Sequence, residues 1–208
     1  MRLTNETKIF IGIIVVTLII VGLGVFLFSR PEQILSKEDL LPAGTITKGL
    51  VSSKVYLVEF SDFQCPACKS FKPIVDEITS TYKDKLYFGY RHFPLTQHPF
   101  AQKSAEAAEA ANEQGKFWQM YDYLFAKQDD LSDAVIDGGV KELGLDTAKF
   151  QADMKSDKVK NKIEKDLADG NKFGISATPT FFLNGKKLNL DQLSDLKTAV
   201  EKAIQQPL

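Results

Sequence analysis

KVYLVEFSDFQCPACKSF, residues 54–71, carries an apolar stretch directly into the chain's only two cysteines, Cys65 and Cys68. Its first half, Lys54 to Phe60, is rich in β-branched and aromatic residues and lacks polar alternation, the pattern of a strand buried on both faces. Downstream, Phe71, Ile74, Val75, Ile78 and Tyr82 recur at the spacing of one helical stripe. Residues 86–93, LYFGYRHF, read as a second strand. Strand, helix, strand in that order predicts a right-handed crossover joining a parallel pair, with both cysteines at the first strand-to-helix turn.

Beyond this unit the pattern turns helical. Residues 99–126 are alanine-rich and then aromatic, with Phe117, Trp118, Met120, Tyr121, Leu124 and Phe125, and residues 131–169 carry apolar positions from Val135 to Leu167. Gly115 and Gly144 read as breaks. The aromatic stripe around Trp118 has the spacing of a packed core. Strand character returns at Thr180–Leu183, followed by an Asn184-Gly185 turn and a hairpin partner over residues 186–190. A closing helix follows on Leu193, Leu196, Val200 and Ile204, with Asp191 as its expected cap. The expected architecture is an α/β domain over residues 48–208 with a helical insertion at about 99–173.

The N-terminal part differs in kind. Residues 9–28 are uncharged and mostly apolar, long enough as a helix to cross a bilayer. The run ends in Phe28-Ser29-Arg30-Pro31 rather than in a small-residue cleavage site, so residues 1–30 read as an uncleaved signal anchor. Arg2 and Lys8 before the span are matched by Arg30, Lys37 and Lys48 after it, and charge alone leaves the orientation open. Residues 31–47, with two prolines and no sustained period, read as a tether. With 26 basic and 27 acidic residues mixed along the chain, a net charge of -1 gives no electrostatic reason to expect nucleic acid.

Two cysteines at i and i+3 on a helix's first turn lie on one face, within reach of a disulfide. Such a bridge closes so small a ring that loop entropy makes it a poor staple, which leaves chemistry as the better explanation. At a helix N-terminus, unpaired N–H groups and the positive dipole end favour thiolate over thiol at Cys65. Pro66 suits the first helical position and is expected to present Cys65 outward, with Cys68 one turn in as the shielded resolving thiol. Zinc is the main rival, since Cys65, Cys68, His92 and His98 could formally make a Cys2His2 set. Most of a helix and a strand separates Cys68 from His92, which outruns a compact zinc pattern.

Glu59 places a carboxylate in the buried strand six residues before Cys65, from where it could take the proton of Cys68 during exchange. A solvent-facing or lysine-paired Glu59 is the plain alternative. In GISATPTFFLNG, residues 174–185, Pro179 stands immediately before an apolar strand. By itself that reads as a trans turn proline; a cis Thr178-Pro179 bond would instead leave backbone exposed for an extended substrate.

VEFSDFQCPACKSF and ISATPTFFLNG, in this order and with a helical block between them, resemble the DsbA-like branch of the thioredoxin superfamily over roughly residues 45–208. The resemblance implies a thioredoxin-like fold with a helical insertion, Cys65 as attacking thiol, Cys68 as resolving thiol and Glu59 as buried acid. It also implies a cis Pro179 facing the redox pair, with Thr178 offering its backbone to substrate beside Pro66 and Ala67. No separate cofactor is expected, because the Cys65-Cys68 disulfide carries the electrons. Pro66-Ala67 departs from the family's strongest oxidants, which have a histidine between the cysteines. The implied setting is the extracytoplasmic face of the membrane, with the N-terminus in the cytoplasm, protein thiols as substrates and a membrane redox partner, either a quinone-linked oxidase or an electron donor. Alternatives to disulfide formation are a reductase or isomerase, and a non-catalytic polypeptide-binding module.

Overall fold

The structure, a computed structural model, describes residues 4–28 and 34–206. The chain divides into two compact units, Met1–Gln33 and Ile34–Leu208. In the first, α1 (Asn5–Phe28) has 24 residues, which at about 1.5 Å rise extend roughly 36 Å. Its Glu6–Gly24 window has a mean hydropathy of 2.4 and none of it is buried, so the helix is long and apolar enough to cross a membrane. Arg2, Arg30 and the first part of the expected tether, residues 31–33, lie outside the described residues.

The second unit is built on a five-stranded sheet, in the order β1-β3-β2-β4-β5. Its strands are β1 (Ile46–Gly49), β2 (Tyr56–Ser61), β3 (Tyr87–His92), β4 (Thr180–Leu183) and β5 (Lys186–Lys187). Only β2 and β3 run parallel, joined through α3 (Pro66–Thr81), the crossover that the residue pattern predicts. β2 is central and buried on both faces. Leu57 belongs to a large cluster with α3 residues and the aromatics of the insertion, whereas Val58 and Phe60 pack with Leu35, Leu40, Phe93 and Phe182. Glu59 therefore shares the face of Leu57, toward α3.

The insertion comprises α4 (Ala101–Asn112), α5 (Phe117–Ala126), a 3-10 turn (Gln128–Asp130), α6 (Asp133–Glu142), α7 (Thr147–Met154) and α8 (Asp157–Lys172). Gly115 and Gly144 take positive φ, 71° and 60°, where two of its helices end. Further breaks come from side-chain caps: Ser132, Asp146 and Ser156 accept from the backbone N–H of Val135, Lys149 and Val159. Trp118 packs edge-on to Phe117 and Tyr121, with centroids at 5.2 and 5.4 Å, as part of the core wall. The closing helix α9 spans Leu193–Gln205.

Three expectations need correction. Residues 34–47 are not a free tether: Leu35 N donates to Gly185 O at 2.9 Å, α2 (Lys37–Leu40) is capped by Ser36, and Leu40 is fully buried. Two leucines, five residues apart, plug the cluster around Val58 and Phe60, and β1 then pairs antiparallel with β3. The partner of β4 ends at Lys187 rather than residue 190. α9 is capped by Gln192 rather than Asp191, with the Asp195 carboxylate accepting from Gln192 N at 3.0 Å in a reciprocal box.

Arg91 joins these layers. Fully buried in β3, it donates from Nε to Asp166 at 2.6 Å, from Nη2 to Asp169 at 2.5 Å, and from Nη1 to the carbonyl of Asp39 at 3.2 Å. The guanidinium also lies 5.0 Å from the Phe60 ring centroid. Removing one partner from a buried ion pair leaves the other uncompensated. Arg91→Met is expected to lower unfolding free energy by about 3–5 kcal/mol in chemical denaturation, and a loss within error of zero would contradict this reading.

Candidate functional site

The turn after β2 is fastened by its own residues. One Asp62 carboxylate oxygen accepts from Gln64 N at 2.7 Å; the other accepts from Leu95 N at 2.9 Å and lies 2.7 Å from His98 Nδ1. Cys65 N donates to Asp62 O at 3.1 Å, and the Gln64 side-chain oxygen accepts from Phe100 N at 2.6 Å. Cys65 is the N-cap residue of α3, with extended φ and ψ of -78° and 119°, and Pro66 opens the helix.

The two thiols sit in different surroundings. Cys65 keeps 6% exposure and Cys68 none, while Pro66 and Ala67 between them are exposed. Cys65 is thus less open than its expected outward presentation, because Thr178 closes over it. The Thr178–Pro179 peptide is cis, and Cys65 Sγ lies 3.2 Å from Thr178 O. The Cys68 thiol donates toward Cys65 and lowers its pKa to about 5, with help from Thr178 and the backbone N–H groups of Cys68 and Ala67, against the opposing effect of burial. Cys68 moves the other way: burial first, then its neighbour Cys65 and the charge of Glu59, push its thiol well above the ordinary value.

Glu59 lies beneath this pair with 1% exposure. Burial pushes its carboxyl up to about 7, against opposing pulls from the nearby Ser61 hydroxyl and the Lys48 ammonium. Glu59 Oε2, Ser61 Oγ and Tyr90 OH are buried without a hydrogen-bond partner among the described residues. A carboxylic acid with this pKa, facing a buried thiol, can receive or return a proton near neutrality.

Cys65, Cys68, Glu59, Thr178 and Pro179 thus converge at one end of β2, flanked by Pro66 and Ala67. The histidines do not join them in a metal set. His92 Nε2 lies 2.9 Å from buried Glu109, His98 is taken by Asp62, and among the described residues no group of three or more His, Cys, Asp or Glu could hold an ion. Two contributors escape the sequence reading. Asp62 carries a local signal, an Asp two residues ahead of Gln64 in a turn. Gln128, whose Nε2 donates to Phe63 O at 2.7 Å and Cys65 O at 3.0 Å, carries none, since it comes from 63 residues away.

The thioredoxin family model matches residues 43–202. Among solved structures, the thiol-disulfide exchange protein α-DsbA2 of Wolbachia pipientis superposes with a TM-score of 0.71 at 22% identity, covering 80% of this chain and 90% of that one. A thioredoxin-like oxidoreductase from Silicibacter pomeroyi gives 0.71 at 26% identity, over 82% and 98% of the two chains. Oxidised BdbD from Bacillus subtilis gives 0.69 at 22% identity, over 84% and 97%. In sequence, the Na(+)/H(+) antiporter NhaA 3 of Salinispora tropica is 40% identical over 152 residues, 71% of this chain and 23% of the relative. The chain spans about a quarter of the length of the curated relatives it matches.

The unlike thiols predict a pH signature. In the reduced chain, the alkylation rate of Cys65 by iodoacetamide should reach half its maximum near pH 5, the value to which that thiol is lowered, with Cys68 inert there. Linkage fixes the sign for stability: the Cys65 term is absent below about pH 5, grows as pH rises, and is complete above the ordinary thiol value of 9.0. Glu59 acts oppositely, its contribution being lost as pH rises from the ordinary 4.5 through about 7. A Cys65 midpoint near that of a free thiol would refute the assignment.

Proposed function

This chain belongs to the thioredoxin family, and from that premise we propose that it is a membrane-anchored thiol-disulfide oxidoreductase that forms disulfides in protein substrates outside the cytoplasm. The observation that carries the proposal is the asymmetry of the two sulfurs: Cys65, lowered to about 5, keeps a slight exposure beside Thr178, while Cys68 is sealed and pushed up. A depressed pKa stabilises the reduced form and therefore makes the disulfide a better oxidant.

The reaction runs from the Cys65-Cys68 disulfide. A substrate thiolate attacks Cys65 Sγ; a new sulfur–sulfur bond forms as the bond to Cys68 breaks, and Cys68 leaves with the electron pair. A thiol with so high a pKa must be protonated to remain a good leaving group, and Glu59, at about 7, is the acid beneath it. A second substrate thiolate then attacks the substrate sulfur and expels Cys65 as a thiolate, stable at neutral pH. The substrate loses two electrons and two protons; the protein takes both electrons and one proton, carried by Cys68, and the other proton goes to solvent. Thr178, whose carbonyl already lies against Cys65, would hold the substrate backbone beside Pro179, with Pro66 and Ala67 as the exposed rim. Return to the disulfide requires a membrane partner that takes the two electrons, such as a quinone-linked oxidase.

α1 supplies the anchor in this reading, with the N-terminus in the cytoplasm and the catalytic unit outside. One solved neighbour, from Salmonella enterica, is a periplasmic thioredoxin-like protein with a TM-score of 0.69, and thiol oxidation is useful where disulfides persist. The antiporter activity in the names of the curated relatives forms no part of this role, since the chain matches about a quarter of their length.

Equilibration with glutathione buffers tests the direction. The Cys65-Cys68 couple should lie well above the thioredoxin potential of about −270 mV, and a value at or below it would overturn the disulfide-forming role. Cys68→Ala, first charged at Cys65 as a glutathione mixed disulfide by oxidised glutathione, should accumulate mixed disulfides through Cys65 with a reduced, unfolded substrate as glutathione leaves as the thiol. Undiminished dithiol oxidation by Cys65→Ser would overturn the enzymatic reading altogether.

A further inference from the structure

Gln128 lies in the 3-10 turn between α5 and α6, inside the insertion, with its side chain buried. Its Nε2 carries two N–H groups and makes two bonds, one to Phe63 O and one to Cys65 O, so neither proton is shared. These carbonyls stand on either side of the Gln64-Cys65 segment. We infer that Gln128 is a positioning residue for the exchange reaction: it locks the peptide planes around Cys65 so that the N–H groups of Ala67 and Cys68 face the sulfur. This rests on the oxidoreductase reading above.

The peptide between Cys65 and Pro66 is the unit that Gln128 holds. Peptide groups are planar, so fixing one polar atom fixes the tilt of the whole unit. Because Pro66 has no N–H, this peptide offers only its oxygen as a handle. That oxygen accepts from Lys69 N at 3.2 Å, the first intrahelical bond, and from Gln128 at 3.0 Å. The Gln128 bond draws the negative end of the carbonyl dipole toward the insertion. Without it the peptide could tilt, weakening the N–H contacts that favour the thiolate. The neighbouring Asp129 ties the same turn to α3 through an exposed bridge to Lys69 at 2.6 Å, but touches neither carbonyl.

The test uses the full chain in detergent micelles, with three variants, two readouts and thermal stability as a control. Gln128→Met keeps the side-chain length and removes both donors. Gln128→Glu is nearly isosteric but places an acceptor and a negative charge against two carbonyls. Gln128→Met should raise the pH midpoint of Cys65 alkylation by about one unit and move the glutathione equilibrium about tenfold toward the protein disulfide. Gln128→Glu should move both further in the same direction, and it carries the comparison if the Met variant fails to fold. Asp129→Ala should match wild type in both readouts. If both Gln128 variants lose thermal stability yet keep the wild-type midpoint and equilibrium, Gln128 merely satisfies buried carbonyls and the inference is overturned. A wild-type chain whose Cys65 titrates as an ordinary thiol overturns this inference and the functional reading together, whereas an active wild type with indifferent Gln128 variants overturns this one alone.

Discussion

The Arg91 guanidinium is the constraint through which the cysteine-bearing end of the domain is assembled. A buried cation requires anions and carbonyls from several directions, and here they come from α8 through Asp166 and Asp169 and from α2 through the carbonyls of Asp39 and Leu40. The same Asp166 reaches past Arg91 to accept from His92 N at 3.1 Å. One residue further, Phe93 N donates to Ser61 O at 2.8 Å, on the last residue of β2. The ion pair thus holds β3 at the point where β3 holds the strand that leads into the Asp62 turn. A strand that slipped by one residue would turn Glu59 to the opposite face and separate it from Cys68.

The chemistry at that end depends on dividing two similar groups between unlike surroundings. Sulfurs three residues apart on one helical turn would titrate alike in water. Cys65 is placed where amides and a neighbouring thiol donate to it, and Cys68 where burial, its own bond to Cys65 and the charge of Glu59 hold its proton on. Glu59 belongs to the same division: its high pKa follows from the burial that also raises Cys68. The Ser61 hydroxyl and Tyr90 phenol nearby are likewise buried without a hydrogen-bond partner among the described residues, so a polar patch lies beneath α3 in an otherwise apolar core. A buried polar group without a partner is costly, and in the proposed reaction this patch is where the proton of Cys68 would be received and returned.

How much of this could be read from the chain depended on the range of each interaction. β2, α3, the parallel crossover and the position of both cysteines follow from local periodicity, and so does the long apolar helix α1. β4 and its Asn184-Gly185 turn were equally legible, because Asn184 adopts φ of 50° and a Cβ on Gly185 would lie 2.3 Å from Leu35 O. Residues 34–47 were not. Their proline and charge content resembles a linker, yet Leu35 and Leu40 fill gaps that only the folded sheet creates. β1 is four residues long and half buried, too short to show a period. In the insertion, glycine breaks were visible whereas the serine and aspartate caps that divide it further were not.

The insertion is therefore more than cover for a thioredoxin-like sheet. A block that only shaded the substrate site would present side chains to the groove and leave the exchange turn to its own sequence. Instead, through Gln128, it bonds to the main chain on both sides of the Gln64-Cys65 segment. Main-chain recognition of this kind makes no use of the Ala67 side chain. The acidity of Cys65 can then be adjusted from the insertion while the exposed Ala67 remains free to vary with the substrate. That offers a physical route by which a chain with no histidine between its cysteines could still keep an acidic thiol: the missing side-chain donor is offset by backbone amides held in place from outside the motif. In such an arrangement redox strength is a property of the contact between insertion and turn, and the four residues from Cys65 to Cys68 specify only part of it.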